Sequence, residues 1–507
     1  MLNRILAELP KTHAHVIGTT GSGKSKLLDL LLREALFSAR PFCLIDWHGT
    51  LYRDVLQMLS VLRPKRKIWL LNASENEYVT GYNPFLRPRS EPSTAVSRLI
   101  DATVKPWGAT TTDDTPQLAQ VLRLLYTYAV ERGETLPNAS HLLDATRQGL
   151  RKAAAKQVQD LYMRRQWEEF ASISERDFRQ LVASSVRRLD RFLAPIGVRR
   201  MLGLKTGNLD LYEIVERGDI LLVNLAASEY VPPESAKLIA ALLLADFLEV
   251  GLAHAKNPVN YILALDEFQE YITHDVAQML DQVRKGGLHL VLAHHRLAQL
   301  ARDEELDDAI ATQARLKIVF GGLRYDAASD IAMEISLSKI NERQIKDIIE
   351  HQITKHELLF LGAQTEAESR SYGEDDDFTV TRSRSASDSP MLFPYYDREV
   401  SSIMDYTLEE RKNFQTEELM NLKQRQCYVK FPSEPVARRW TVPFVRQFMT
   451  YDSRFRAYEL SLYRASGART AEEVDALMTE DEERFLASTI PPKRKKGAGD
   501  GTAPPKI

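Results

Sequence analysis

The first residues able to do chemistry lie close to the N-terminus, where residues 18–25 read G-T-T-G-S-G-K-S. This is the complete phosphate-loop pattern G-x-x-x-x-G-K-[ST], in which glycines let the backbone curl until several N–H groups point at a β-phosphate. Lys24 is placed to reach the β- and γ-phosphate oxygens, and the Ser25 hydroxyl to bind Mg²⁺. The pattern predicts binding of a nucleoside triphosphate, with ATP and Mg²⁺ as the expected ligands.

The segments on either side of this loop have the order that a phosphate loop needs. Residues 13–17 are typical of a short β-strand, and residues 26–36 of a helix whose positive end would face the phosphates. A Gly-rich turn that arose by chance would not need that order. The residues expected to hold the nucleotide are Gly18, Thr20, Gly21, Ser22, Gly23, Lys24, Ser25 and Lys26.

A pair of carboxylates follows a second apolar run. Asp266 comes directly after Y-I-L-A-L, the position from which an acidic side chain can hold the hydration shell of Mg²⁺. Glu267 comes next and can accept a proton from the attacking water, so we assign it as the general base. The alternative is that both residues merely end a strand at the surface. An adjacent Asp-Glu pair favours an ATPase with a strong hydrolytic step over a kinase or a small GTPase.

Two further residues are candidates for the catalytic site. The apolar run at residues 288–293 ends at His294 and His295, where a polar side chain can sense a γ-phosphate. Adjacent histidines also suggest a metal site, but strand geometry sends neighbouring side chains to opposite faces. Arg284 lies in the turn R-K-G-G before this run. It is equally consistent with an arginine that reaches a neighbouring subunit's γ-phosphate and with an exposed basic turn.

The composition is that of a globular protein of two or three domains. The 507 residues are too many for one compact core, and the 44% hydrophobic fraction is ordinary. A net charge of −3 excludes a global basic field, so any nucleic-acid site must be local. Two cysteines, Cys43 and Cys427, exclude a disulfide framework and suit a reducing cytoplasm. No segment reads as a membrane span, so we expect a cytoplasmic protein without an anchor of its own.

The alternation of apolar runs predicts an α/β fold with a mostly parallel sheet, interrupted by an all-α insertion domain. The second half of the insertion, residues 147–200, has 13 basic and 6 acidic residues. The predicted divisions are 1–92 for the first part of the core, 93–204 for the insertion, 205–365 for the second part of the core, 366–390 for a flexible linker, 391–488 for strands that return to the core with further helices, and 489–507 for a disordered basic tail.

These motifs together resemble the HerA/FtsK superfamily of DNA-pumping ATPases, and within it the type IV secretion coupling proteins, the TraG/TraD-like conjugation motors. Besides the phosphate loop, the similar segments are L-I-D-W-H-G-T-L at 44–51, G-Y-N-P-F at 81–85, G-D-I-L-L-V-N-L at 218–225, L-D-E-F at 265–268 and R-K-G-G-L-H-L-V-L-A-H-H-R at 284–296. The insertion lies where coupling proteins carry their all-alpha domain.

The resemblance implies a RecA-like P-loop NTPase core, a homo-hexameric ring with ATP between subunits, and single- or double-stranded DNA in the central pore. By matching positions, Asp266 and Glu267 are the Walker B pair and Arg284 is the trans-acting arginine. The family usually has Gln where this chain has His295, and Pro where it has Trp47. Coupling proteins usually begin with membrane helices. Because no membrane span is expected in this chain, we expect membrane docking to come from a partner.

The sequence therefore predicts an ATP-driven motor that moves DNA in conjugative or mobile-element transfer. Two alternatives stay open. One is the ATPase subunit of an antiphage or DNA-processing complex with a partner nuclease. The other is a protein-remodelling secretion ATPase that does not grip DNA. A relaxase, a nuclease or a membrane-anchored protein is the partner that these functions imply.

Overall fold

The computed structural model describes residues 1–86, 88–107, 115–271, 274–295, 304–372, 378–444 and 446–488. Contacts between these residues divide the chain into two compact units. The first contains residues 1–335 and the chain from Thr416 onward, and the second contains Ser336–Gln415. The predicted basic tail, residues 489–507, lies outside the described residues.

The described residues form strands and helices with the following bounds. The strands are β1 (Ala14–Ile17), β2 (Phe42–Asp46), β3 (Ile68–Asn72), β4 (Tyr78–Val79), β5 (Ile220–Asn224), β6 (Tyr261–Leu265), β7 (Leu288–His294), β8 (Leu316–Phe320), β9 (Ile345–Tyr372), β10 (Phe378–Asp405), β11 (Gln426–Lys430), β12 (Arg438–Thr441) and β13 (Arg469–Thr470). The helices are α1 (Leu2–Glu8), α2 (Lys24–Phe37), α3 (Thr50–Leu62), α4 (Pro92–Val104), α5 (Pro116–Arg132), α6 (Leu136–Ser140), α7 (Gln148–Ala155), α8 (Leu161–Ser172), α9 (Glu175–Leu193), α10 (Ile196–Leu202), α11 (Leu211–Arg217), α12 (Pro233–Ala253), α13 (His274–Gln282), α14 (Glu304–Gln313), α15 (Tyr325–Asn341), α16 (Leu408–Met420), α17 (Asp452–Ser466) and α18 (Ala471–Ser488).

One large sheet in the first unit has the strand order β12-β11-β8-β1-β7-β6-β2-β5-β3. The strands from β8 to β3 run parallel, whereas β11 is antiparallel to β8 and β12 is antiparallel to β11. The strands β1, β2, β5, β6 and β7 are buried along their whole length, as expected for parallel strands covered on both faces. The predicted α/β fold with a mostly parallel sheet is confirmed.

One continuous hydrophobic core joins a face of this sheet to the helices between Pro92 and Leu202. Trp167 of α8 and Phe178 of α9 are fully buried in it, together with Leu263 of β6. The described part of this segment contains α4 to α10 and no strand. The helical segment and the sheet therefore share their apolar interior, which holds the segment firmly against the sheet.

The opposite face of the sheet is covered by α1, α2, α3 and α17. Leu31 of α2 and Val55 of α3 are buried against Val16 of β1 and Leu44 of β2. This packing orients α2 so that its first turn faces the carboxyl edge of the sheet, directly after the phosphate loop.

Helix α12 is apolar on all its sides. Among the described residues it belongs to the one helix, Pro233–Lys256, that is long and apolar enough to cross a membrane, and 72% of the most apolar stretch of that helix is buried within the fold. Its side chains pack in the same core as the helical segment and the sheet. A helix that is hydrophobic all round is typical of such a buried position.

The second unit is built around a long antiparallel hairpin. The strands β9 and β10 each have 28 residues. They pair from Tyr372 with Phe378 near the tip to Ile345 with Asp405 at the base.

The hairpin corrects three of the predicted divisions. Residues 345–365, predicted to belong to the second part of the core, lie within β9, so that part of the core ends near residue 335 instead of 365. The predicted linker 366–390 is largely paired strand, and residues 391–405 complete β10. The linker was predicted from the low apolar content of these residues. A β-ladder, however, is held together by hydrogen bonds between backbone groups. Cross-strand charges such as Glu368 and Arg382 also lie opposite each other.

Candidate nucleotide-binding site

The phosphate loop connects the central strand β1 to α2. Because β1 ends at Ile17 and its neighbours β7 and β8 run parallel to it, the loop lies at the carboxyl edge of the sheet. Gly21 and Gly23 have φ angles of 76° and 119°, which other residues rarely adopt. The backbone of Arg425 also lies close to Gly23, since a Cβ on Gly23 would be 3.2 Å from the Arg425 Cα. Gly21 and Gly23 are therefore required by the backbone conformation of the loop.

Lys24 is held inside the loop by backbone carbonyls. Its Nζ donates to the oxygen of Gly18 at 2.7 Å and to that of Thr19 at 3.3 Å, and the residue is 3% exposed. Burial lowers the pKa of Lys24, and the nearby carboxylates of Glu267 and Asp266 offset part of that effect. A phosphate in the loop would give this buried ammonium a charged hydrogen-bond partner.

The other loop residues divide into an inner and an outer group. The Ser22 hydroxyl is buried and makes no hydrogen bond to another described residue. The Lys26 side chain instead leaves the loop and pairs with Asp54 of α3 at 2.6 Å. Lys26 can therefore contribute its backbone N–H at the start of α2, while its charge is shared with a neighbouring helix.

Two strands bring carboxylates to the same edge of the sheet. Asp266 directly follows β6 and Asp46 ends the adjacent β2, and the Asp266 N–H donates to the Ile45 oxygen at 3.0 Å. The Asp46 carboxylate accepts from the N–H groups of His48 at 2.9 Å and Tyr52 at 2.8 Å. Sequence reasoning did not assign Asp46 to the site, although a carboxylate that ends a buried parallel strand is a signal for it.

Asp266 is a buried carboxylate with an unsatisfied oxygen. Its Oδ1 has no hydrogen-bond partner among the described residues. Burial, followed by the charges of Asp46 and Glu267, raises the pKa of Asp266 to about 7. A cation beside this oxygen would offset all three effects. The residues therefore fit Mg²⁺, which Asp266 and the Ser25 hydroxyl would hold, directly or through water.

Glu267 stands in a strained backbone conformation with φ of 51°. Its Oε2 accepts from Gln269 Nε2 at 2.7 Å, and its Oε1 lies 2.5 Å from His295 Nε2. Burial alone would raise the pKa of Glu267, but hydrogen bonds from His295 and Gln269 outweigh it and hold that pKa below its ordinary value. A carboxylate that stays ionised can accept a proton from water.

His295 connects the phosphate loop to the carboxylates. Its Nδ1 lies 2.6 Å from Lys24 Nζ, and its Nε2 contacts Glu267. Since an ammonium only donates, this arrangement fits an imidazole with the hydrogen on Nε2. The neighbouring His294 turns to the other face of β7 and stacks on His15, with ring centroids 4.8 Å apart. The structure therefore brings Lys24, Asp266, Glu267 and His295 together.

Arg284 does not join this cluster. It lies in a short 3₁₀ helix, Val283–Gly286, that precedes β7, and its Nη1 donates to the Lys11 oxygen at 2.7 Å. The seven residues of β7 span about 23 Å between that edge of the sheet and the phosphate loop. Arg284 is exposed at the opposite edge and cannot reach the loop of its own chain.

A segment from far along the chain completes the outer wall of the loop. The Arg425 N–H donates to the Ser22 oxygen at 2.8 Å, and Gln424 Nε2 donates to the Gly21 oxygen at 3.0 Å. Both residues precede β11, which enters the sheet antiparallel beside β8. This contact was not predicted from the sequence, because no local sequence pattern indicates it.

The family described as the central domain of the helicase HerA matches residues 5–192. Among solved structures, the plasmid coupling protein TrwB in complex with the non-hydrolysable ATP analogue ADPNP matches with a TM-score of 0.54 at 15% identity, over 88% of this chain and 87% of that one. Residues 5–192 are thus similar to a HerA domain, and the fold of the chain is similar to that of a plasmid coupling protein. The resemblance predicted from the motifs is thereby confirmed.

Two further structures give the same result. TrwB in complex with ADP and Mg²⁺ matches with a TM-score of 0.53 at 15% identity, over 87% of each chain. The unbound monoclinic form of the bacterial conjugative coupling protein TrwBdeltaN70 matches with a TM-score of 0.53 at 16% identity, also over 87% of each. No curated protein matches the chain by sequence. At such identities the likeness shows the fold, which is RecA-like. The phosphate loop on that fold is the nucleotide-binding motif of P-loop NTPases.

Proposed function

We propose that this chain is a Mg²⁺-dependent ATP hydrolase that moves DNA, working as a homo-hexameric ring in conjugative or mobile-element transfer. The observation that carries the proposal is the series of contacts from Lys24 through His295 to Glu267, beside the buried Asp266. A phosphate-binding cation, a candidate γ-phosphate sensor and a candidate base thus share one edge of the sheet. TrwB, which has the same fold, has been crystallised with ADPNP and with ADP and Mg²⁺.

The residues of the site have distinct parts in hydrolysis. Lys24 neutralises oxygens of the β- and γ-phosphates, and the loop backbone holds the phosphates in line with the attacking water. Glu267 takes a proton from that water as its oxygen bonds to the γ-phosphorus. The bond to the bridging oxygen then breaks, and ADP leaves from phosphate. When Mg²⁺ is bound by Ser25 and Asp266, it supplies further positive charge to the phosphates.

A ring is part of the proposal because Arg284, at its position in the fold, could act on a γ-phosphate only in a second chain. Arg284 is exposed at the edge of the sheet opposite its own phosphate loop. In a head-to-tail ring, the edge of one subunit can face the loop of the next. An arginine delivered in this way stabilises charge that develops on the γ-phosphate.

DNA is the proposed cargo, in the single- or double-stranded form. The support within the helical segment is local: 13 basic and 6 acidic residues lie between 147 and 200 in a chain whose net charge is −3. At the start of α8, Tyr162 is exposed, two residues before Arg164 and three before Arg165. An exposed aromatic ring beside cations suits contact with nucleotide bases and phosphates. The proposed location is the cytoplasm, with a relaxase or a membrane-anchored protein as partner.

The test is ATP turnover measured with and without DNA, with Lys24→Ala as the control variant. We expect turnover in the parent to rise when DNA is added, and to be absent in the folded Lys24→Ala protein because the loop loses the buried ammonium that neutralises the phosphates. Electron microscopy with ATP and DNA should show six-fold rings. Turnover that DNA does not change would refute the DNA motor and support a protein-remodelling ATPase.

A further inference from the structure

The strand order of the sheet sets the direction in which a nucleotide must lie. Asp266 and Glu267 follow β6 and His295 follows β7, so the γ-phosphate end belongs on the β7–β6 side of β1. A triphosphate in the loop therefore directs its nucleoside to the other side of β1, where β8, β11 and β12 lie. This step rests on the proposed function, since it needs a nucleotide in the phosphate loop.

Arg425 and Phe444 lie on that other side, at the same edge of the sheet as the loop. β11 pairs antiparallel with β8, with Cys427 opposite Phe320, so Arg425 comes just before β11 at the carboxyl end of β8. β12 returns antiparallel to β11 and leads into Val442, whose N–H donates to the Arg425 oxygen at 2.8 Å. The guanidinium carbon of Arg425 lies 5.9 Å from the centre of the Phe444 ring.

The Phe444 ring is 80% exposed, so it buries little of its surface against its own chain. A large exposed aromatic ring beside a binding loop is informative, because Phe is among the residues that proteins most often bury. Its cationic neighbour Arg425 is fixed to the phosphate loop through the backbone bond to Ser22. The backbone of Arg425 is thus held beside the phosphate loop, and its guanidinium lies next to the Phe444 ring.

The chain after Phe444 is tied down on α2 and α3. The Arg446 oxygen accepts from Arg33 Nη1 at 3.0 Å, and Gln447 Nε2 lies 3.3 Å from the Asp54 carboxylate. Asp54 also pairs with Lys26 at the start of α2. Phe444 is therefore followed by a segment that is anchored beside the phosphate loop.

We propose that Phe444 and Arg425 form the nucleobase subsite of this chain. The base stacks on the Phe444 ring, and the Arg425 guanidinium covers it from the side of the loop. Stacking of a base on an aromatic side chain is favourable for every base, because each has a π-face. The subsite would therefore add affinity for a nucleoside triphosphate over an equally charged chain of phosphates.

The experiment compares ATP with inorganic tripolyphosphate, each with Mg²⁺, by isothermal titration calorimetry on the full chain. We expect the parent to bind ATP more tightly than tripolyphosphate. Phe444→Ala should weaken ATP binding about tenfold and leave tripolyphosphate binding unchanged, because the variant loses a stacking contact and no phosphate contact. Phe444→Trp should restore ATP binding. Met449→Ala is the matched control, since Met449 is 88% exposed on the same segment.

The outcomes separate this inference from the proposed function. Equal affinity of the parent for both ligands, or equal weakening of both by Phe444→Ala, overturns the subsite while phosphate binding stands. A parent that binds neither ligand overturns the proposed function and the subsite with it. Sedimentation velocity on the same samples tests whether the exposed ring contributes to a subunit interface instead. A Phe444→Ala protein that loses oligomers but keeps its ATP affinity would assign Phe444 to an interface and overturn the subsite.

Discussion

His295 Nε2 lies 2.5 Å from Glu267 Oε1, so the imidazole of the candidate sensor holds the carboxylate of the candidate base. The same ring contacts Lys24 Nζ through Nδ1. A γ-phosphate would compete with the imidazole for Lys24 and with Glu267 for the Nε2–H of His295, because its oxygens accept from both donors. Binding of ATP is therefore expected to release Glu267 for proton transfer, which couples the filling of the site to its activation.

Glu267→Gln should bind ATP with the affinity of the parent and release phosphate at least about 100-fold more slowly, because the amide keeps the size of the side chain and loses its basicity. Calorimetry and steady-state phosphate release measure the two quantities. Glu270→Gln is the control, since Glu270 is a neighbouring carboxylate that pairs with Lys237 at 3.4 Å, outside the cluster. Parental turnover in Glu267→Gln would show that another group takes the proton.

His295→Ala should lower turnover about 100-fold, the usual effect of removing a hydrogen-bond donor to a charge that develops in the transition state. His295→Gln should recover most of it, because the amide can still donate to a phosphate and accept from Lys24. The measurement is kcat and KM for ATP in all three proteins. If Gln at this position is as slow as Ala, His295 positions Glu267 and does not sense the phosphate.

The phosphate loop, Asp266 and Glu267 could be found in the sequence because each signal is local: a motif of eight residues, and two acids directly after an apolar run. The contribution of Arg425 could not, because its contact with the loop depends on the order of strands in the sheet. The neighbouring Gln424 and its partner Gly21 are 403 positions apart. Local patterns predict elements, whereas strand order brings distant elements together.

The prediction made from composition was wrong for the hairpin for a related reason. Residues 366–390 are poor in apolar side chains, which is typical of disorder in a chain that cannot bury a core. Two strands of 28 residues can pair through their backbones without such a core. The cross-strand register, with Thr365 opposite Ser385 and Glu368 opposite Arg382, is invisible until the two strands are aligned.

Arg284→Ala should bind ATP as the parent does and hydrolyse it about 1,000-fold more slowly if the arginine acts on a neighbouring subunit. Lys285→Ala is the matched control, because Lys285 is the adjacent exposed cation in the same turn. Mixing Arg284→Ala with Lys24→Ala should recover activity, since one variant keeps the loop and the other keeps the arginine. Failure to recover, with subunit exchange demonstrated, would exclude a shared site.

Charge reversal of Arg164, Arg165, Arg187 and Arg188 should weaken DNA binding and flatten its dependence on salt, because fewer counterions are released. Basal ATP turnover should persist, since these residues lie on α8 and α9, outside the nucleotide site. The control reverses exposed arginines of α17, Arg454 and Arg464. Affinity and salt slope equal to those of the parent would mean that the arginines of α8 and α9 only solvate helix faces.

The stability of the fold should fall in mild acid because His13 is buried in its neutral form. Its Nε2 lies 3.0 Å from the Leu280 oxygen, and its Nδ1 accepts from the Leu290 N–H at 3.0 Å. Burial, with His289 and Arg284 nearby, lowers the pKa of His13 to about 3. A proton on Nδ1 would also break the bond to Leu290.

The sign of the effect follows from this lowered pKa. Below pH 6.5 His13 is protonated in the unfolded chain but stays neutral in the folded chain. The free energy of unfolding therefore falls as the pH falls from 6.5 towards 3. The contribution of this one group is about 1.4 kcal/mol per pH unit. Urea unfolding of the parent and of His13→Gln between pH 7 and pH 4 should therefore give curves that converge in acid. Parallel curves, or an NMR titration that places the His13 pKa near 6.5, would contradict the assignment of a buried neutral imidazole.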